Sequence, residues 1–330
     1  MKGIVHNMSL LSTSRFILLI SLFLNIGMAN AVYPDRPIKF VIPFAPGGGT
    51  DSQMRIIAPK LSELIGQQII LENKPGSSST IGTDAVVKSP ADGYTFVVVD
   101  TAFTSNPALI QKLPYDSIKD LTAVILLTSG ASALVVNSSL PVKSVSELVA
   151  LAKSKNGSLA YASAGAGTSS HLTGELFKQA TGIDMIHAPY KGAGPAVTDT
   201  IGGQVAATFT NIGSSKAFID NGQLRALAVT GYTRSPALPN VQTFSEIGLP
   251  AVSKASSYWG VLAPAGTPKE IILKINQDLN KVLQIPQVRT RLIELGFNIV
   301  GGTPEEYSKH IQESIGDWRQ VVKEANIKID

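Results

Sequence analysis

The sequence has no cysteine and few groups suited to catalysis. Its 330 residues include four histidines and two tryptophans. Without cysteine the chain cannot form disulfide bonds, thiolate metal sites or cysteine nucleophiles. The hydrolase motif Gly-x-Ser-x-Gly, the zinc motif His-Glu-x-x-His and the phosphate-loop ending Gly-Lys-Ser/Thr are also absent. We therefore expect no cofactor, no metal and no catalytic residue.

Charge of either sign is scarce as well. Charged residues make up 16% of the chain and apolar residues 44%. The formal net charge is +4, and Lys2 and Arg15 supply two of these charges, so the rest of the chain carries +2. A chain without a basic stripe has little to hold a phosphate backbone, so we expect no nucleic-acid partner. The length is sufficient for two domains with separate cores.

Long apolar runs are missing after residue 31. Before it, the positive residues Lys2 and Arg15 precede an apolar run from Phe16 to Ile26, which is too short for a confident membrane span. The run is followed by Ala29-Asn30-Ala31, a small-x-small cleavage site. We expect residues 1–31 to be a signal peptide cleaved after Ala31, and the protein to be exported to the periplasm. An uncleaved anchor is the alternative.

A glycine-rich turn follows the first apolar strand. Phe40 to Ile42 has the pattern of a buried strand, and Pro46 to Gly49 interrupts regular structure. Thr50 and Gln53 have the spacing of a capping box, which predicts a helix starting there. Free N–H groups at a helix start attract anions, so this turn predicts a carboxylate or phosphate site. Alternatively, its glycines serve only the geometry of the turn.

A second turn of the same kind lies in the middle of the chain. The predicted strand Leu159 to Ala162 leads into the small residues 163–167, with Thr168 as the expected N-cap of a helix. Neither turn contains lysine or arginine, which favours a carboxylate over a phosphate. Ligands of parallel sheets lie at the carboxyl ends of strands, where both turns fall. Thr168, Ser169 and Ser170 could instead be capping residues only.

Alternating strands and helices predict the α/β class. Two extended stretches break the alternation: Leu121 to Val136, with an expected interruption at Ser129-Gly130, and Tyr258 to Leu262. We interpret them as strands that cross between two lobes and form a hinge. The prediction is a two-lobed protein, each lobe a βα sheet covered by helices, with lobe 1 at 32–136 and 262–330 and lobe 2 at 137–261.

Eight motifs in series resemble one family, the tripartite tricarboxylate transporter solute-binding proteins, also called the Bug family. They cover essentially the whole chain after residue 31. The motifs are Tyr33 to Ile38, Pro46 to Asp51, Glu72 to Gly76, Ala91 to Thr95, Gly165 to Leu172, Pro189 to Gly192, Leu224 to Thr230 and Trp259 to Pro268.

The resemblance implies a Venus-flytrap (periplasmic-binding-protein) fold that captures a small carboxylate, with a dicarboxylate expected first. It also implies delivery to a membrane permease of one large and one small integral subunit. We expect a monomer. Two alternatives stay open: a binding protein that passes a signal to a membrane sensor, and an exported hydrolase.

The resemblance also implies which residues hold the ligand, mainly through backbone amides and hydroxyls. The residues carried over are Phe44, Pro46, Gly47, Gly48, Gly49 and Thr50 in the first turn, Thr101 and Ala102 after the third strand, Gly165, Gly167, Thr168 and Ser169 in the second turn, and Thr210 and Asn211. We add Tyr190, which could line the cleft or pack in the core; Phe44 has the same two interpretations.

The chain departs from the family pattern at one predicted contact. Where many members resemble Met-Phe-Asp, this chain has Thr208-Phe209-Thr210. A neutral donor suits a carboxylate or hydroxyl better than an amino group, which argues against an amino-acid ligand. We expect Asp51 to point away from the cleft and Lys191 to be a solvated or steering charge. His171 and Glu175 share a helix face, which favours a simple pairing over a metal site.

Overall fold

The computed structural model describes residues 33–253, 255–324 and 327. The predicted signal peptide, residues 1–31, lies outside these residues. Residues 36–330 form the large compact unit of the chain. Within the described residues, no helix is both long and apolar enough to cross a membrane.

Strands and helices alternate along the large unit, as predicted for the α/β class. The strands are β1 (Ile38–Ile42), β2 (Ile69–Asn73), β3 (Thr95–Val99), β4 (Leu121–Asn137), β5 (Ala160–Ser163), β6 (Ile186–Pro189), β7 (Ala207–Asn211), β8 (Leu224–Val229), β9 (Ser256–Pro264) and β10 (Phe297–Gly301). The helices are α1 (Gly49–Ile65), α2 (Thr80–Val87), α3 (Ala102–Leu109), α4 (Val145–Ser154), α5 (Ser169–Thr181), α6 (Ala193–Ile201), α7 (Ile212–Asp220), α8 (Pro250–Ser253), α9 (Lys269–Gln284), α10 (Pro286–Glu294) and α11 (Pro304–Glu324).

The strands pair in the order β2-β1-β3-β9-β4-β7-β5-β6, and β8 and β10 also pair with β4. In one half of this sheet β1 runs parallel to β2 and β3. In the other half β5 runs parallel to β6 and β7. Each half therefore has parallel strands whose carboxyl ends are joined to helices, the arrangement in which open α/β sheets bind ligands.

The strand β4 belongs to both halves. Residues 121–131 pair with β9, whereas residues 132–136 pair with β7 and residues 133–137 with β8. The interruption expected at Ser129-Gly130 is wrong, because the strand continues through it. A Cβ at Gly130 would lie 3.2 Å from the Trp259 ring. Glycine is present there because β9 packs closely against it, and it does not mark a turn.

The second stretch that we interpreted as a crossing lies in β9. All of its pairs are with β3 and the first part of β4, in the first half of the sheet. The lobe boundaries at 136 and 262 stay a proposal, and the strand pairing itself changes halves between Ala131 and Ser132.

Each half of the sheet has its own core. In the first half, Val97, Leu126 and Leu262 pack against Tyr307 and Ile311 of α11. In the second half, Leu134 and a group of aromatic rings pack together, with Tyr161 and Phe209 meeting edge to face at 5.6 Å. Each half thus has its own set of packed side chains.

Candidate ligand-binding site

A narrow cavity lies where the two glycine-rich turns meet. Its volume is about 30 Å³, room for one or two water molecules. It is lined by Phe44, Gly48, Gly49, Thr50, Asp100, Ala164, Thr168, Ser169, Ser170, Ala193, Thr210, Asn211 and Trp259. Most of these residues follow the carboxyl ends of parallel strands from both halves of the sheet.

Direct bonds hold the two halves together around the cavity. The Ala45 N–H donates to the Lys191 carbonyl at 2.9 Å. The Ser105 hydroxyl donates to the Gly167 carbonyl at 2.5 Å. The hydroxyls of Ser169 and Ser257 lie 2.7 Å apart. These contacts define a closed arrangement of the two halves.

The first turn leaves its helix start uncapped by any side chain. The helix α1 begins at Gly49, with Gly48 as the N-cap in an extended conformation and no side-chain cap. The predicted capping box is therefore wrong: Thr50 is inside the helix, and Gln53 accepts a hydrogen bond from Thr128 at 2.7 Å. The first N–H groups of α1 have no intrahelical partner, and Gly48, Gly49 and Thr50 line the cavity. This geometry suits an anion.

Glycine at position 49 also permits the closed contact. A Cβ on Gly49 would lie 2.8 Å from the side-chain Cγ of Asn211, which belongs to the other half of the sheet. Asn211 caps helix α7 by accepting the Ser214 N–H at 3.0 Å. Glycine at position 49 thus lets the first turn approach the end of β7 without displacing that cap.

Asp51 lies outside the cavity lining and braces the first turn. Its carboxylate accepts two hydrogen bonds from Arg55, at 2.8 and 3.0 Å. It also accepts the Gly47 N–H and the Asn73 amide, both at 3.1 Å. Burial alone would raise the pKa of Asp51, but the hydrogen bonds from Arg55, Gly47 and Asn73 outweigh burial and lower it. The negative charge of Asp51, which would repel an anion in the cavity, is thus neutralised by Arg55 and bonded to the backbone of its own turn.

Replacing Asp51 with alanine should lower the free energy of unfolding by about 1–3 kcal/mol, because the Gly47 N–H and the Asn73 amide lose their acceptor. Urea unfolding at pH 7 measures this loss. Since the folded pKa is depressed, the contribution exists above the unfolded pKa of about 3.9 and disappears as pH falls through the folded value. Arg55→Ala is the control, and it should cost less than about 1 kcal/mol because Arg55 is largely exposed. Equal losses in the two variants would contradict the bracing role.

The second turn carries its own side-chain caps. Thr168 is the N-cap of α5, as predicted, and its hydroxyl donates to the Gly165 carbonyl at 2.6 Å. The Ser170 hydroxyl accepts the Ala164 N–H at 2.9 Å. The Gly167 N–H donates to Nδ1 of His171 at 3.1 Å. The shape of this turn therefore depends on a neutral His171, because a protonated Nδ1 cannot accept.

His171 is buried beneath the second turn. Burial, together with the positive charge of Lys178, lowers the pKa of His171 to about 4. Its ring stacks on His187, with ring centroids 4.1 Å apart. His187 bonds the Ser163 hydroxyl at 2.7 Å. Ser163 is fully buried and lies outside the cavity lining.

Acidification should destabilise the protein through His171. Between the unfolded pKa of about 6.5 and the folded pKa of about 4, the unfolded chain binds the extra proton, so the contribution of His171 to stability rises with pH across this window. Asp100 contributes with the opposite sign, because burial raises its folded pKa to about 7. Lowering the pH through the window should therefore cost the wild type about 3 kcal/mol relative to His171→Asn, which still contains Asp100. Melting temperature against pH measures the slope. His171→Asn keeps an acceptor near Nδ1 without a titrating ring, so the difference in melting temperature between this variant and the wild type should change across the window. The same slope in both proteins would show that His171 is not responsible.

The structure brings eight of the predicted site residues together around the cavity. They are Phe44, Gly48, Gly49, Thr50, Thr168, Ser169, Thr210 and Asn211. The other predicted residues, Pro46, Gly47, Thr101, Ala102, Gly165, Gly167 and Tyr190, lie outside the lining.

Several of the residues outside the lining have structural partners. The Thr101 hydroxyl accepts the Tyr258 N–H at 3.1 Å, which ties the loop after β3 to β9. The Ala102 N–H donates to Asp100 at 2.8 Å. The Tyr190 hydroxyl donates to Asp199 at 2.6 Å. Exposed Lys191 is also outside the lining and meets Ala45 only through its carbonyl.

Four residues that line the cavity were not predicted as site residues. A fifth, Ser170, was predicted only as a weaker candidate. The four are Asp100, Ala164, Ala193 and Trp259. Asp100 and Ala164 are the first residues after β3 and β5, so the rule that sites form at carboxyl ends of strands could have found them. Trp259 lies in β9, and no sequence signal connects it with the turns.

Two polar groups in the cavity stand out. Thr210 is buried, and among the described residues its hydroxyl has no hydrogen-bond partner. Asp100 is the one lining residue that can ionise, and the lining includes no lysine, arginine or histidine. In the described part of the chain, no group of three or more histidine, aspartate or glutamate residues is placed to hold a metal ion.

The fold and the site together define a class. Two halves of an α/β sheet, linked through a shared strand and closed over a polar cavity, form the fold of periplasmic binding proteins, as predicted. The family model for the tripartite tricarboxylate transporter family receptor matches residues 53–327. The chain therefore belongs to this receptor family, as the motifs indicated.

Individual relatives agree with this assignment. Protein BugT of Bordetella pertussis (strain Tohama I) is 36% identical, with 97% of this chain and all of that protein covered. The structure of R. palustris Rpa4515 with adipate is 36% identical with a TM-score of 0.87, covering 90% of this chain and 99% of that one. MatC (Rpa3494) from Rhodopseudomonas palustris with bound malate is 32% identical with a TM-score of 0.84, covering 88% of this chain and 100% of that one.

Proposed function

We propose that this protein captures a small dicarboxylate between two lobes and delivers it to a tripartite tricarboxylate-type permease. The observation that carries the proposal is the uncapped start of α1, which opens on the same cavity as the start of α5. Two helix N-termini facing one space suit a ligand with two acidic ends. The adipate and malate of the two Rhodopseudomonas structures are ligands of that kind.

The unpartnered hydroxyl of Thr210 supports the same ligand class. A hydrogen bond to a charged group contributes about 1.5–3 kcal/mol. A few such bonds from each lobe suffice for micromolar binding, at about −8 kcal/mol. The residues that we propose as ligand contacts are Phe44, Gly48, Gly49, Thr50, Thr168, Ser169, Ser170, Thr210 and Asn211.

The proposed motion is the opening and closing of lobe 1 (32–136 and 262–330) against lobe 2 (137–261). The monomeric protein, exported to the periplasm after cleavage behind Ala31, opens to admit the ligand and closes on it. Closure should reduce the radius of gyration when ligand is added, which small-angle X-ray scattering measures. An unchanged radius at saturating ligand would count against this motion.

Thermal unfolding tests the ligand class. Adipate, succinate, malate, citrate and glutamate are compared with adipamide, which has the length of adipate without its charges. A ligand at 100 times its dissociation constant should add about 2.7 kcal/mol to the free energy of unfolding. At least one dicarboxylate should raise the melting temperature and adipamide should not. If no carboxylate does so, the proposed function is wrong.

Delivery requires a separate experiment. Uptake of the identified ligand is measured in vesicles that contain the two integral permease subunits, with and without the binding protein. Uptake that depends on the binding protein supports the permease as partner. Ligand binding without such uptake points to the alternative in which the liganded protein is handed to a membrane sensor.

A further inference from the structure

A single carboxyl group lies in a cavity otherwise built for an anion. Asp100 follows β3 directly and lines the cavity with the N-terminal residues of α1 and α5. The Ala102 N–H donates to its Oδ1 at 2.8 Å. In the described part of the chain, no side chain donates a hydrogen bond to this carboxyl group, and no cationic side chain lines the cavity. A carboxylate and an anionic ligand in one small space repel each other unless a proton is shared.

We propose that Asp100 binds the ligand as a neutral acid, donating its O–H to an acidic group of a dicarboxylate, so that capture takes up one proton. This inference rests on the proposed function and names the ionisation state in which the site accepts its ligand. The proton comes from solvent and stays on Asp100 in the complex. It is released when the ligand leaves.

The environment of Asp100 makes such a proton available at neutral pH. Burial raises the pKa of Asp100 to about 7, although the backbone N–H groups of Ala102 and Asp100 itself lower it. The ligand anion would raise it further, because like charges favour the protonated form. Roughly half of the empty protein would therefore carry the proton at pH 7.

No other residue of the cavity lining titrates near neutrality, and the pKa of His171, which lies beneath the second turn, is lowered by burial to about 4. The cavity residues from α1, α5, β7 and β9 are glycine, threonine, serine, asparagine and tryptophan, which do not titrate. The groups that interact electrostatically with Asp100 are Tyr115 and, from α11, Tyr307. Burial raises the pKa of Tyr115 to about 12 and that of Tyr307 further, so both stay neutral. Asp51 is bonded to Arg55 outside the lining.

In the alternative role, Asp100 is ionised and binds a cationic group of the ligand, such as the ammonium of an amino acid. The two uses predict opposite pH dependence. A proton-linked dicarboxylate binds more weakly as the pH rises, whereas an ammonium group binds more weakly as the pH falls below the pKa of Asp100. The surplus of backbone and hydroxyl donors around the cavity, with no second acid, favours the first.

Isothermal titration calorimetry with adipate and malate tests the proposal from pH 6.5 to 8.5. Affinity of the wild type should fall roughly 20-fold across this range, since an Asp100 with a pKa near 7 is mostly ionised at the upper end. At pH 8, titrations in buffers of different ionisation enthalpy should show uptake of close to one proton per ligand.

Asp100→Asn is the decisive variant, because its amide donates a hydrogen bond but does not titrate. It should bind the same ligand with an affinity independent of pH and without proton uptake. Thr210→Val is the matched control: it weakens binding but should keep the slope and the proton uptake. An affinity that rises with pH, or a wild-type slope retained in Asp100→Asn, would overturn the proposal. Failure to bind any dicarboxylate at pH 6.5 would instead contradict the proposed function itself.

Discussion

Replacing Gly48 with aspartate should abolish carboxylate binding and leave the protein folded. Gly48 is the N-cap of α1, with φ −80° and ψ 172°, which any residue can adopt. A Cβ there would lie 3.7 Å from the nearest atom, the Ala193 nitrogen, an ordinary contact. Aspartate is a favourable N-cap, so the helix itself should be as stable as before or more so.

Ligand affinity should fall in this variant for two reasons. The new carboxylate accepts the first N–H groups of α1, which the ligand needs, and its charge repels the bound anion. Two like charges about 4 Å apart at an effective dielectric constant of 20 repel by about 4 kcal/mol, which corresponds to roughly a thousandfold loss of affinity. Calorimetry with the ligand identified by thermal shift measures the loss, and circular dichroism checks the fold.

Gly48→Asn separates the two causes. Asparagine caps the helix in the same way but adds no charge, so this variant should keep part of its affinity. If Gly48→Asn and Gly48→Asp lose binding equally, occupation of the N–H groups explains the effect and charge does not. Affinity equal to the wild type in Gly48→Asp would remove the start of α1 from the site.

Replacing Thr210 with valine should weaken ligand binding and leave the empty protein at least as stable. The Thr210 hydroxyl is buried without a partner among the described residues, and a buried unsatisfied hydroxyl costs about 1–3 kcal/mol. Valine has the same shape without that hydroxyl. If the ligand carboxylate accepts this O–H, the variant loses about 1.5–3 kcal/mol of binding, roughly a 10- to 150-fold drop in affinity.

Thr208→Val is the matched control two residues earlier in β7. The Thr208 hydroxyl is also buried, but it donates to the Ala162 carbonyl at 3.0 Å and lies outside the cavity lining. This variant should lose stability and keep ligand affinity, the reverse of Thr210→Val. Urea unfolding and calorimetry on both variants measure the two effects. A loss of stability without a loss of affinity in Thr210→Val would remove its hydroxyl from the site.

Local sequence patterns predicted the parts of the site that lie within one strand–turn–helix segment. The turn before α1 and the turn before α5 were both found from their glycines and neighbouring hydroxyl residues, and Thr168 is the N-cap that its pattern indicated. These features depend on backbone conformation over a few neighbouring residues, which composition largely decides. The same reasoning misplaced the start of α1, because Gly48 could adopt the extended N-cap conformation without any capping side chain.

Local sequence patterns did not predict contacts between strands that are far apart in the chain. The serine–glycine pair at 129–130 has the pattern of a turn, but in β4 the glycine makes room for Trp259 of another strand. Asp100 and Trp259 reach the cavity only because β3 and β9 are neighbours in the sheet, and the hydrogen bond between Thr101 and Tyr258 joins residues 157 positions apart in sequence. The hydrophobic periodicity of a single segment cannot predict which other strand it will pair with.

The sequence by itself determined the α/β class, the two glycine-rich turns and, through its motifs, the receptor family. The tertiary structure alone decided which of the predicted residues face one cavity, that Asp51 is bonded within its own loop, and that Asp100 and an unpartnered Thr210 hydroxyl share the space with both helix starts, as seen within the described residues. The physical reason is that a turn depends on its own few residues, whereas a cleft forms between surfaces that meet only after separate segments of the chain have packed.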